Sequence, residues 1–141
     1  MLLALTIWMG TACNSSKVPK SEAVQSNDQY KKIAEEKWDQ QPIEYSWNSD
    51  STMVLCMNKA KSKANNPRTA LTYFVFDIGN AVVLYESSID GGSVGWFDTN
   101  NLELFTIPGY MPNDKTKDDF IRIYNVKTKE SISKKEALSK D

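Results

Sequence analysis

The chain has 141 residues, long enough for one domain with a buried core, and its 40% apolar and 25% charged residues are typical of a folded globular protein. Its formal net charge of −1 gives no reason to expect a nucleic-acid partner, which usually requires a basic face. Histidine is absent, which removes the commonest general base, the commonest zinc ligand and every catalytic triad built on imidazole.

The N-terminal residues 1–12 form an uncharged apolar segment, MLLALTIWMGTA, that ends in small residues just before Cys13. A helix needs roughly 20 apolar residues to cross a bilayer, so this segment is too short to span one. Its length and its small-residue end favour a signal peptide over 1–12. The alternative is a buried N-terminal strand or helix that carries an ordinary cysteine. The polar residues after Cys13 favour a flexible linker over 13–26.

The apolar segment, the small residues, Cys13 and the Ser/Asn-rich tether together resemble a bacterial lipoprotein signal with its lipobox, in the style of small lipoproteins of Bacteroidetes-type bacteria. The resemblance covers only 1–21. It implies that Cys13 becomes the mature N-terminus, carries lipid and anchors the protein to a membrane of the bacterial cell envelope, with the outer membrane as the expected one.

The second cysteine, Cys56, lies in the apolar sequence Met-Val-Leu-Cys-Met. A free cysteine in such a segment is most often a small buried hydrophobe. No charged neighbour in the sequence would lower its pKa, so we expect an unreactive thiol. The alternative is a Cys13–Cys56 disulfide in an exported protein without lipid.

The single domain predicted over 27–141 begins with an amphipathic helix over 28–40, which Pro42 ends. One side of this helix carries apolar residues at helical spacing: Tyr30, Ile33, Ala34 and Trp38. At the other end of the chain, Ser133 and Glu136 have the spacing of a capping box and predict a short C-terminal helix.

Between these helices, seven apolar segments rich in aromatic and β-branched residues predict strands separated by turns. They are 43–47, 53–57, 71–76, 81–86, 94–97, 102–107 and 120–126. The 71–76 segment is apolar on both faces, which predicts a strand covered on both sides. We therefore predict a mainly β (α+β) fold, with about seven antiparallel strands in a meander or sandwich-like sheet and one N-terminal helix.

Acidic residues are concentrated in the central part of the chain, where no Lys or Arg occurs between 69 and 114. They are Asp77, Glu86, Asp90, Asp98, Glu103 and Asp114. Such a patch could attract a cation or a basic partner. The interpretation we prefer is that these carboxylates occupy turns and strand edges.

Three oxygen-bearing residues, Asp98, Asn100 and Glu103, are of the kind that calcium binds, but the full spacing of a calcium loop is missing. We predict no metal and no cofactor. A carboxylate pair could perform acid–base chemistry, although the available carboxylates lie in or beside turns. Arg122 is predicted on the wet face of its strand, where it pairs with a cross-strand carboxylate such as Glu103. The alternative is that Arg122 binds the anionic group of a ligand.

The aromatic residues are the best functional lead, and Tyr110 with Met111 lies in a predicted loop. Exposed aromatic rings beside methionine are typical anchors of protein interfaces, and aromatic platforms also bind sugars. We predict that Tyr110 and Met111 are exposed and bind a partner, whereas Trp96 and Phe105 fill the core.

These patterns predict a small membrane-anchored envelope lipoprotein that acts as a noncatalytic binding module for a protein or glycan partner. The alternatives are a small envelope enzyme that uses carboxylates, and an inhibitor or immunity-like protein with an acidic interface. The absence of histidine and of a glycine-rich phosphate loop favours the binding module.

Overall fold

The computed structural model describes residues 28–39, 41–60 and 69–140. In chain order, the N-terminal elements are α1 (Gln29–Lys37), β1 (Ile43–Trp47), β2 (Met53–Lys59), β3 (Ala70–Asp77) and β4 (Val82–Asp90). They are followed by β5 (Gly92–Trp96), β6 (Asn101–Thr106), a 3-10 helix (Lys117–Phe120), β7 (Ile121–Asn125), β8 (Ser131–Ser133) and α2 (Lys134–Leu138).

The strands of the described ranges form two four-stranded antiparallel sheets, each in the order of the chain: β1-β2-β3-β4 and β5-β6-β7-β8. The mainly β fold with antiparallel meanders is confirmed, but the strands number eight rather than about seven. The additional strand, β8, has the sequence Ser-Ile-Ser. Because it has one apolar residue in a polar stretch, its sequence does not predict a strand. It is identified as a strand by its pairing with β7.

The first sheet is buried on both faces, so that the described domain has two apolar cores. The core between the two sheets contains Met53, Leu55, Tyr73, Val75, Ile89, Leu102 and Val126. The core between α1 and the first sheet contains Tyr30, Ala34, Val54, Cys56, Phe74 and Phe76. Because successive residues of β3 enter opposite cores, the prediction of a strand covered on both sides is confirmed.

The chain passes from the first sheet to the second through a bend at Gly91 and Gly92. The backbone N–H of Gly91 donates to the carbonyl of Thr69 at 3.2 Å, and its carbonyl accepts from the N–H of Ile107 at 3.1 Å. At the other end of β5, Trp96 Nε1 donates to the carbonyl of Ser46 in β1 at 2.9 Å. Thus β5 crosses the first sheet from its β4 edge to its β1 edge. The bend at Gly91 and Gly92 is the corner at which the chain leaves the first sheet and enters the second.

The 3-10 helix and α2 lie against the second sheet. The predicted cap of α2 is present, because Ser133 Oγ accepts from the N–H of Glu136 at 3.2 Å. Lys134 at the start of α2 forms ion pairs with Glu103 at 3.2 Å and with Asp118 at 3.4 Å. In the part of the chain that the structure describes, no helix is both long and apolar enough to cross a membrane.

Candidate functional site

The connection between β6 and the 3-10 helix exposes three apolar side chains, and we call residues 107–112 the exposed loop. Tyr110 is 76% exposed, and Ile107 and Met111 are each 42% exposed. The structure therefore places Tyr110 and Met111 at the surface, as the sequence predicts. Their role in partner binding stays a prediction.

A groove of about 470 Å³ opens beside this loop, between β4 of the first sheet and β6 and β7 of the second. We call it the inter-sheet groove. Its lining combines tyrosine rings, hydroxyl groups, apolar side chains and one guanidinium: Tyr73, Tyr85, Ser87, Ser88, Ile89, Leu104, Thr106, Pro108, Asp119, Phe120 and Arg122. Because Pro108 belongs to both features, the groove and the exposed loop form one continuous surface.

The Arg122 side chain lies on the inter-sheet face of β7. Arg122 and Tyr124 project from the same face of β7 because they are two residues apart. The ring of Tyr124 stacks on Tyr85 of β4, with 4.1 Å between the ring centroids, so this face looks toward the first sheet. Arg122 Nε donates to Ser131 Oγ at 2.9 Å, and Nη2 donates to the Ser131 carbonyl at 3.3 Å. These two bonds hold the guanidinium at the mouth of the groove.

The predicted pairing of Arg122 with Glu103 is wrong. Glu103 lies opposite Ile123, whereas Arg122 lies opposite Leu104, so the two side chains project from opposite faces of the second sheet. Glu103 instead pairs with Lys134 of α2 at 3.2 Å. The alternation along β7 was predicted correctly, but the sequence does not show which face of the strand looks toward the first sheet.

The floor of the groove is formed by tyrosines that join the two sheets. Tyr73 and Tyr85 have ring centroids 6.0 Å apart, and Tyr85 stacks on Tyr124. Burial, followed by the proximity of Tyr85, raises the pKa of Tyr73. Tyr73 therefore remains a neutral phenol at neutral pH and contributes no charge to the groove.

Two of the acidic residues serve turns, as the sequence predicts. The Asp98 carboxylate accepts from the backbone N–H groups of Asn100 and Asn101 at 2.8 and 2.9 Å and from Asn101 Nδ2 at 2.6 Å. The Asp77 carboxylate accepts from Asn80 N at 3.0 Å and Asn80 Nδ2 at 2.9 Å, and these bonds lower the pKa of Asp77. Both side chains stabilise their own turns.

Glu86 also has a local partner. It lies on β4 and pairs with Lys37 of α1 at 2.9 Å. Thus Glu86, Asp98 and Glu103 contact three separate parts of the fold. Among the described residues, no group of three or more Cys, Asp or Glu side chains is close enough to hold a metal ion.

The remaining aromatic residues fall into two groups. Trp96 packs against the inter-sheet core, as predicted, whereas Phe105 is only half-buried and has Lys117 Nζ at 4.6 Å from its ring centroid. Tyr45 and Trp47 are 36% and 41% exposed on the edge strand β1. Both contact the buried ring of Tyr30, which gives them a packing role.

The two cysteines have separate outcomes. Cys13 and the predicted signal and linker, 1–26, lie outside the described residues. Cys56 is fully buried between α1 and the first sheet, and burial raises the pKa of its thiol to about 12. Within the described part of the chain, Cys56 is a free cysteine.

The groove hydroxyls were missed by sequence reasoning. Ser87 and Thr106 are ordinary polar residues of strands, and no local pattern distinguishes them from solvent-facing positions. Comparison with models of known protein families, with curated proteins and with solved structures found no match to this chain. Function is therefore inferred from the geometry of the exposed loop and the inter-sheet groove.

Proposed function

We propose that this protein is a noncatalytic binding module of the bacterial cell envelope, which contacts a protein or glycan partner through the exposed loop. The observation that carries the proposal is the solvent exposure of Ile107, Tyr110 and Met111 within one short segment. Exposed apolar side chains grouped in one segment are typical of interaction sites, and aromatic residues are among the most frequent energetic anchors of interfaces.

Both ends of the exposed loop are held by hydrogen bonds. At the start, the N–H of Ile107 donates to the carbonyl of Gly91 at 3.1 Å, and at the end the N–H of Lys115 donates to the carbonyl of Pro112 at 3.0 Å. The first bond ties the loop to the bend at Gly91, and the second closes a local turn. Both reduce the conformational freedom that the loop loses when a partner binds. This supports a role in recognition.

The contacts of the acidic side chains also support binding over catalysis. Of the four carboxylates that the sequence offers for acid–base chemistry, three bond to a neighbouring Lys or Asn: Glu86, Asp98 and Glu103. The fourth, Asp90, lies at the end of β4. General acid–base catalysis needs a carboxylate within hydrogen-bond reach of a substrate. These three carboxylates instead stabilise the fold.

For the address of the protein, we propose lipid attachment at Cys13 and a tether formed by 13–26. The apolar segment before Cys13 and the Ser/Asn-rich stretch after it support this. If extended, such a tether reaches up to about 45 Å. A domain on this tether can meet partners at a distance from the membrane that anchors it.

The proposal is tested by placing a photo-crosslinking phenylalanine analogue at Tyr110 of the full chain in its own cells. A matched control carries the same analogue at Val82, another exposed apolar side chain (44% exposed), at the start of β4. We expect one dominant adduct from position 110 and none from position 82. Met111→Ala should reduce this adduct without a measurable change in Tm, because exposed substitutions alter stability by about 0.5 kcal/mol or less.

Two results would contradict the proposal. Equal crosslinking from positions 110 and 82 would show that the exposed loop has no preferred partner. A large fall in Tm on Met111→Ala would show that Met111 supports the fold.

A further inference from the structure

The inter-sheet groove contains the guanidinium of Arg122, which hydrogen bonds hold in position. Arg122 donates two hydrogen bonds to Ser131, which leaves further N–H donors of the guanidinium for a ligand. Among the described residues, the ion pairs involve lysines only, so Arg122 has no carboxylate partner there. A positively charged group that is held in place and unpaired favours an anionic ligand.

Among the described residues that line this groove, Asp119 is the only one with a carboxylate, and that carboxylate is already engaged. It forms an ion pair with Lys135, and it accepts from Thr116 N at 2.8 Å and Thr116 Oγ1 at 3.1 Å. Its charge is therefore balanced on the side of α2. The charge of Arg122 remains uncompensated within the groove.

The rest of the lining suggests what kind of anion fits. Ser87 and Thr106 supply hydroxyl groups that can both donate and accept, and Ile89 and Leu104 supply apolar surface. The volume of about 470 Å³ lies within the usual range for small-molecule sites. A ring that carries hydroxyl groups and one carboxylate matches this combination.

A peptide strand is a poorer match for the same place. Strand β4 is an edge strand, but the carbonyl of Leu84 accepts a hydrogen bond from Lys129 Nζ. Lysine at a sheet edge is a common means of preventing strand addition. A single guanidinium also suits one carboxylate, which it can bind with two parallel hydrogen bonds.

We propose that the inter-sheet groove binds a carboxylate-bearing sugar unit of an envelope glycan, with Arg122 on the carboxylate and the side chains of Ser87 and Thr106 on the ring hydroxyls. This inference rests on the proposed binding function and names its ligand class. Since Pro108 joins the groove to the exposed loop, a longer glycan would pass from Arg122 to Tyr110.

The test is a titration of the full chain with methyl β-D-glucuronide and, separately, with methyl β-D-glucoside, followed by amide NMR. The uronide should shift the amide signals of Ser87, Thr106 and Arg122 in a saturable manner. The glucoside should bind at least about tenfold more weakly, because a hydrogen bond to a charged group contributes about 1.5–3 kcal/mol and each 1.4 kcal/mol is tenfold.

Three variants separate charge from geometry. Arg122→Gln should weaken uronide binding about tenfold or more, and Arg122→Lys should weaken it less, since lysine keeps the charge and loses the planar fork. Lys117→Gln is the matched control: it removes one positive charge from a side chain that lies over Phe105 and does not line the groove. It should leave the affinity unchanged.

Several outcomes would overturn the inference. Equal affinity for glucuronide and glucoside would do so, as would equal affinity for acetate, which would indicate a simple anion site. The absence of shifts at the groove with the uronide would also reject it, while a preserved adduct at position 110 would leave the proposed function standing. The comparison of the two sugars uses the unmodified chain, so it decides the matter even if Arg122→Gln fails to fold.

Discussion

At the bend between β4 and β5, Gly92 adopts a backbone conformation that other residues rarely reach, with φ of 145°. A Cβ added there would lie 1.9 Å from the carbonyl oxygen of Phe105 in the paired strand β6. Both restrictions act where one strand leaves the first sheet and enters the second. Gly92 therefore permits the close approach on which the corner of the sandwich depends.

Gly92→Ala should destabilise the protein by about 3 kcal/mol or more, because backbone strain and a steric clash add together. Gly95→Ala, three residues further along β5, is the control, since a Cβ there meets no heavy atom within 4 Å. Urea unfolding of both variants measures the difference. If the two substitutions have equal effects, the corner tolerates a side chain and this explanation of the bend is wrong.

At the level of the elements, α2 depends on its neighbours, because its five residues are too few to form a stable helix alone. Its contacts are the Ser133 cap and the ion pairs of Lys134 and Lys135, the latter with Asp119 of the 3-10 helix. Lys135, followed by the bonds from Thr116, lowers the pKa of Asp119 to about 2.

The docking of α2 should accordingly weaken in acid. Because the pKa of Asp119 is lower in the folded state than the value of about 4 expected in the unfolded chain, its contribution is complete above pH ~4 and is lost as the pH falls toward 2. Amide chemical shifts of α2, followed between pH 5 and pH 2, measure this change.

Asp119→Asn should reduce the acid-dependent shifts of α2 in that window, since the amide cannot titrate. The carboxylates of Glu103 and Asp118, which pair with Lys134, remain in this variant. Asp114→Asn is the control, because Asp114 lies in the preceding connection and forms none of the ion pairs among the described residues. Identical pH profiles for the native chain and for Asp119→Asn would show that another carboxylate holds α2 in place.

In the described domain, α1, the first sheet and the second sheet are stacked in three layers, and the 3-10 helix and α2 lie against the second sheet. Cys56 lies at the boundary of the first two layers with no exposed surface. With a pKa of about 12, its thiol is protonated at neutral pH, and the thiolate that reacts with alkylating agents is scarce. Reaction at Cys56 therefore requires separation of α1 from the first sheet or unfolding of the domain.

Intact-mass measurement on the native protein from the membrane fraction tests the lipid anchor and this layering together. We expect a chain that begins at Cys13 with added acyl mass, and no gain of mass with iodoacetamide until denaturant is present. A lipid-free chain that retains Met1 would reject the proposed anchor. Rapid alkylation under native conditions would show that the layers separate readily.

Much of the fold follows from local patterns. The alternation of β3 predicts two covered faces, and both cores are present. The turn over 48–51 is likewise predictable from its polar residues, but Asn48 Nδ2 also donates to the carbonyl of Thr99 at 2.9 Å and so joins two hairpins that are distant in sequence. Such a contact leaves no local signal, because neither turn needs the other to form.

The candidate site likewise has one part that the sequence predicts and one part that only the fold creates. Exposure of Tyr110 and Met111 is predictable, since both lie in a polar segment rich in turn residues. The groove beside them is not predictable, because its hydroxyls and Arg122 come from strands of different sheets that meet only after folding. Periodicity specifies which residues of a strand share a face, but not which strand of the other sheet that face meets.

The sequence by itself determined the mainly β class and the positions of seven strands and the N-terminal helix. It also excluded the catalytic and metal-binding chemistry that depends on histidine. These properties depend on side-chain size, alternation and turn residues, which act over a few neighbouring positions. The tertiary structure alone decided the division into two sheets, the corner at Gly92 and the position of Arg122 in the inter-sheet groove. Each of these depends on strands that are distant in the chain and become neighbours only through packing.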